Sequence, residues 1–127
     1  MKLLLLIITV ASLSAKSCQK GTINGNCYKG RLEIQGACLN YTIKLIEGNI
    51  DTSLIVTKWT NQSTGKQYSN VFSLVNPCLF PETIKEGDEF YFTIDRTQSN
   101  DCVTCLIFYP KPEKSLPIRV LTKPCKP

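Results

Sequence analysis

Seven cysteines, at positions 18, 27, 38, 78, 102, 105 and 125, carry most of the reactive chemistry of this 127-residue chain, and no histidine accompanies them. Histidine is the commonest general base and the commonest metal ligand, so its absence removes Ser/His and Cys/His nucleophile arrangements. Catalysis would rest on carboxylates or a lone thiol, and no paired-carboxylate motif stands out, so an enzyme is not expected. Cys102-Val103-Thr104-Cys105 has the spacing of a redox or zinc motif. A thioredoxin-type motif opens a helix, whereas this one opens a predicted strand, and a structural zinc site needs two further ligands that the spacing does not supply. Structural cystine is the expected role, and no cofactor is expected.

One further chemistry depends on where the mature chain begins. Residues 1–17 have the layout of a secretory signal peptide, with Lys2, an apolar run from Leu3 to Val10, and small residues after it. The apolar run is well short of the about 20 residues of a membrane-spanning helix. Ala15 and Ser17 satisfy the small-residue rule for a cut before Cys18; Ser12 and Ser14 satisfy it for a cut after residue 14; a cut after residue 15 must tolerate Leu13. Only the first would leave Cys18 at the N-terminus, with a free amine able to bind a metal ion.

Residues 18–127, about 110 in all, make one domain. All seven cysteines fall in it, which reads as a disulfide framework in an exported chain, with one thiol over. Two sequons, Asn40-Tyr41-Thr42 and Asn61-Gln62-Ser63, predict glycosylation at Asn40 and Asn61 and agree with a secreted, extracellular protein. The mature charge is about +3 or +4, once Lys2, and in one case Lys16, leave with the signal. Acidic residues gather in the middle (Glu82, Glu86, Asp88, Glu89, Asp95) and basic ones at the end (Lys111, Lys114, Arg119, Lys123, Lys126), as two solvated faces. Nothing has the interleaved basic and aromatic spacing that argues for nucleic acid.

The elements that must position these residues are strands, because the chain alternates at period two and shows little helical periodicity. In RLEIQGACLNYTIKLI, Arg31 to Ile46, the apolar positions change parity at Gly36, which predicts a β-bulge there in one long bent strand, with Asn40, Thr42 and Lys44 facing water. Strands are predicted at Ser53 to Thr60, Gln67 to Val75, Glu89 to Asp95, Cys102 to Tyr109 and Leu116 to Thr122. The turn NQSTGK, Asn61 to Lys66, is predicted to be an exposed tip. PETIKEG, Pro81 to Gly87, predicts one or two helical turns. The order is that of an all-β, disulfide-stabilised, OB-like five-stranded barrel with one short helix, and a β-sandwich is the alternative.

The order and separation of Cys18, Cys27, Cys78, Cys105 and Cys125, with Gly87 before an aromatic strand and CLIFYP at Cys105 to Pro110, resemble the netrin-like module. The likeness is to the N-terminal domain of tissue inhibitors of metalloproteinases in particular. That resemblance implies bonds Cys18 to Cys78 and Cys27 to Cys125. It departs from the family at Lys20, where a second cysteine is expected, so that Cys105 is left to pair with Cys38 or Cys102; a bond from Cys102 would close a very small loop, which favours Cys38.

The resemblance further implies a mechanism in which the amine of Cys18 chelates a protease's zinc, Gln19 enters the specificity pocket, and Asn76, Pro77 and Cys78 form the adjoining ridge. The expected function is a secreted, non-enzymatic binding protein whose partner is an extracellular protein, most specifically a zinc metalloproteinase, with no nucleic acid and no membrane span. Two alternatives stand beside it: an immunomodulatory or toxin-like ligand on the same scaffold, and a carrier of a small apolar molecule, which would need a sizeable internal cavity.

Overall fold

The computed structural model describes residues 26–99, 101–105 and 107–126. The signal segment 1–17, Cys18 and Gln19 lie outside them. Among the described residues the fold is all-β, with seven strands, β1 (Tyr28–Gly36), β2 (Asn40–Glu47), β3 (Val56–Thr60), β4 (Gln67–Leu74), β5 (Glu89–Ile94), β6 (Ser115–Leu116) and β7 (Ile118–Val120). They form one sheet in the order β3-β4-β2-β1-β5-β7, antiparallel throughout except that β6 runs parallel to the end of β4. Only Pro117 separates β6 from β7, so a single short segment pairs with both β4 and β5.

Alternation explains which side chains meet inside. Tyr28, Gly30 and Leu32 of β1 point inward, as do Phe90 and Phe92 of β5, and Leu32, Ile43, Phe72 and Phe92 have 0% exposure. Phe92 stacks at 5.4 Å from Tyr28 and 5.8 Å from Phe72, centroid to centroid, within the range where offset and tilted ring pairs attract. Gly30 leaves room for them: a Cβ there would lie 3.1 Å from both Ile43 and Phe92.

The long bent strand expected over Arg31 to Ile46 is instead a hairpin. The chain reverses at Ala37–Leu39, and Gly36 faces Asn40 across the ladder. The parity change seen in the sequence is thus a reversal of direction. A bulge does occur, but at Glu33, the residue unmatched between the pairs Leu32 with Ile43 and Ile34 with Thr42. The turn escapes sequence reading because its central residues, Cys38 (φ 59°) and Leu39 (φ 62°), are left-handed without being glycine or asparagine. Such residues cost roughly 1–2 kcal/mol each in that conformation. The bond from Cys38 to Cys105 holds the turn in place. Gly36 is required for a different reason, since a Cβ would sit 2.5 Å from the Tyr109 ring and 2.7 Å from the Asn40 carbonyl. As a consequence Leu39 is exposed and Thr42 is buried, the reverse of the predicted facing.

PETIKEG forms two turns and no helix. The Ile84 N–H donates to Pro81 O and the Asp88 N–H to Lys85 O. Seven residues are too few to offset helix nucleation. The competing bonds are better: the Gly87 N–H donates to Leu32 O, the Leu32 N–H to Asp88 O, and the Asp88 side chain accepts from the Lys85 N–H. The strand expected at Cys102 to Tyr109 is also absent among the described residues, where that segment runs irregularly.

Candidate functional site

Three disulfides join the six cysteines of the described residues: Cys27 to Cys125, Cys38 to Cys105, and Cys78 to Cys102. Cys78 is therefore bonded to Cys102 and not, as the resemblance implied, to Cys18. A side-chain bond accompanies this pairing: Asn76 Nδ2 donates to Ser99 O at 2.8 Å, joining the connection after β5 to the residue that precedes the Pro77–Leu79 turn.

The ridge expected at Asn76, Pro77 and Cys78 is only partly presented. Asn76 is 6% exposed and Pro77 is buried, so both face inward, while Cys78 and the following Leu79 face solvent. Asn76 Oδ1 has no hydrogen-bond partner among the described residues.

The outward-facing chemistry lies instead on the segment after Cys102. Val103 is 90% exposed and Phe108 83% exposed, with Ile107 and Leu79 also well exposed. Large apolar side chains gathered on one surface segment mark contact sites on otherwise soluble proteins. The segment is held at several points. Two disulfides fix Cys102 and Cys105, the Tyr109 ring lies against Gly36, and Pro112 is buried, with its carbonyl accepting from Ser73 Oγ at 3.3 Å. The Ser73 N–H donates to Lys114 O, and the Ser73 and Ser115 hydroxyls meet at 2.6 Å.

Between this segment and the β3–β4 hairpin runs a groove of about 420 Å³. Trp59, Phe108 and Tyr109 supply aromatic walls, and Asn40, Gln62 and Lys111 supply polar rims. Trp59 is braced from the hairpin side by Tyr68, at 5.6 Å between centroids, and Lys66 lies over the Tyr68 ring at 5.0 Å. The groove opens at the surface, whereas Leu32, Ile43, Phe72 and Phe92 belong to the buried core. Among the described residues no helix is long and apolar enough to cross a membrane.

The two sequons end in different surroundings. Asn40 lines the groove, half-buried, with Nδ2 donating to Ala37 O at 2.8 Å. Asn61 was expected at an exposed tip and is 4% exposed. Its side-chain oxygen accepts from the Ser63 N–H, its N–H donates to Lys66 O, and its carbonyl accepts from the Gly65 N–H, so the residue is the inside of the turn.

The acidic middle is absorbed locally. Glu86 accepts from the Gln35 N–H, Glu89 pairs with Lys29 at 3.0 Å, and Asp95 accepts from the Thr97 hydroxyl and lies 3.6 Å from Arg119. The Thr97 bonds, with a smaller effect from Arg119, hold the Asp95 carboxyl below its ordinary pKa. The surface residues Trp59, Leu79, Val103, Ile107 and Phe108 were not singled out from sequence as an interaction surface. The available signal was an apolar run, CLIFYP, between a cysteine pair and the prolines at 110 and 112. The chain matches no family model, no curated protein and no solved structure.

Proposed function

We propose that this chain is a secreted, non-enzymatic binding protein on a netrin-like, OB-like scaffold, and that it engages an extracellular protein through the surface of Leu79, Val103, Ile107 and Phe108. The observation that carries this is the exposure of Val103, Ile107 and Phe108 on a segment tied by two disulfides, with Leu79 exposed next to Cys78, which one of those disulfides joins. A segment already fixed loses little freedom on binding, so apolar burial against a partner is not spent on ordering it. Support for the barrel over a sandwich comes from Ser115–Val120, which pairs with β4 at one end and β5 at the other.

The narrower reading, inhibition of a zinc metalloproteinase by the amine of Cys18, is less well supported. It asks for a bond from Cys18 to Cys78 to hold the amine rigid, and Cys78 is bonded to Cys102. The broader reading is tested by using the secreted full chain and its Val103→Ser/Phe108→Ser variant as baits on extracellular protein fractions. A partner retained by the first and lost by the second is the expected result; a partner retained equally by both sinks the assigned surface. Parallel assay against a metalloproteinase panel decides the narrower reading, since inhibition by protein with Cys18 first and bonded to Cys78 would restore it.

A further inference from the structure

We infer that, of the two sequons, only Asn40 carries a glycan in the folded protein, and that the first sugars of this glycan lie in the aromatic groove between Trp59 and Phe108. The inference rests on the secreted reading above, because the modification takes place during export.

The two asparagines differ in what a glycan would displace. At Asn61 the side chain is inside its own turn, 4% exposed, with its oxygen committed to the Ser63 N–H. A sugar on Nδ2 would crowd this closed turn, where little of the residue reaches solvent and the same amide's oxygen is held to the Ser63 N–H. At Asn40 the side chain lines an open groove. The transfer joins Nδ2 to the anomeric carbon of an oligosaccharide carried on a lipid diphosphate. The bond from that carbon to the diphosphate oxygen breaks, the diphosphate leaves with the electron pair, and Nδ2 gives up one proton. One N–H remains on Nδ2 as a donor for the Ala37 carbonyl.

The groove suits what would be attached there. Its volume of about 420 Å³ is in the range of sites that hold a small molecule. The faces of aromatic rings are electron-rich, and the axial C–H groups of a pyranose carry partial positive charge, so a sugar ring stacks on them. Gln62, Lys111 and Glu113 at the rim can exchange hydrogen bonds with its hydroxyls. A glycan seated this way covers the groove sides of Ile107 and Phe108 and leaves Val103 and Leu79 open to a partner.

Trp59 is the only tryptophan in the chain, so its fluorescence reports on the groove alone. The full chain, with its own leader, is expressed in animal cells and recovered from the medium. Glycopeptide mapping is expected to find Asn40 occupied and Asn61 bare. Enzymatic removal of the glycan from the folded protein is expected to raise acrylamide quenching of Trp59 by roughly twofold or more, since Tyr68 packs on the hairpin side of the indole and the groove side is then uncovered. The Asn40→Gln protein should show the same raised value, and the enzymatic arm stands on its own if that variant fails to fold. A glycan on Asn61, a bare Asn40 in secreted protein, or quenching unchanged by glycan removal overturns the inference and leaves the binding reading standing. Failure of the chain to leave the cell overturns both.

Discussion

The sheet interior and the segment from Cys102 to Pro112 are held by different forces. Leu32, Ile43, Phe72 and Phe92 are fully excluded from water and hold the sheet through apolar burial, at about 1.5–3 kcal/mol for each large side chain. Val103 and Phe108 are almost fully exposed, and their segment keeps its place through covalent bonds from Cys102 to Cys78 and from Cys105 to Cys38. In the first region each side chain contributes to stability, and substitution is costly. In the second Val103 and Phe108 contribute little to stability and are free to be selected for what they touch.

The sharpest test of this difference replaces one phenylalanine in each region. Phe92→Ala should lower unfolding stability by about 3–5 kcal/mol, a large share of what a small domain has. Phe108→Ala should stay within about 0.5 kcal/mol. Denaturant midpoints at constant m-value measure both, and comparable losses at the two positions would erase the distinction.

A smaller effect is expected from opening the bond between Cys78 and Cys102 with paired serine substitutions. Closing a loop with a sequence separation of 24 contributes about 3 kcal/mol in the chain-entropy account. That share is global and lowers protection everywhere; a further loss should be regional, with proteolysis within residues 101–113 accelerating more than amide exchange in β1, β2 and β5. Equal loss of protection in the sheet would show that the two regions unfold as one unit.

The smallest expected effect lies where the connection after β5 begins. The hydrogen bonds from Thr97, and to a lesser degree Arg119, depress the Asp95 carboxyl pKa. A carboxyl depressed on folding stabilises the fold above its unfolded pKa, and that contribution is lost as pH falls through the folded value. Thr97→Val should therefore move the Asp95 titration upward, as followed by NMR, and flatten the acid limb of the stability curve. An unmoved titration would mean that Thr97 does not set it.

Much of the sheet is legible in the sequence, because alternation reports directly on one buried face. Gln67–Leu74 and Glu89–Ile94 lie close to their predicted bounds, and Phe90 and Phe92 point inward as their spacing indicates. The failures share a cause. The turn at Cys38 and Leu39, the missing helix at PETIKEG and the irregular path after Cys102 are each set by a distant segment: Cys105 for the first, β1 for the second, Cys78 and Cys38 for the third. Local propensity carries no information about those partners. The burial of Asn61 has a local cause, its bonds with Ser63, Gly65 and Lys66, and turn composition indicates that a turn exists but not which side chain lies on its inside.

Residue types and their period determined an all-β, cysteine-bonded chain without histidine chemistry, because polarity and side-chain inventory are properties of the sequence itself. Which cysteine meets which, and which aromatic is spent on the core and which is left in water, were decided only when the sheet formed and residues 24 to 98 positions apart came together in three disulfides. Such pairings depend on where the whole sheet carries each segment, and a period of two along one strand does not encode that.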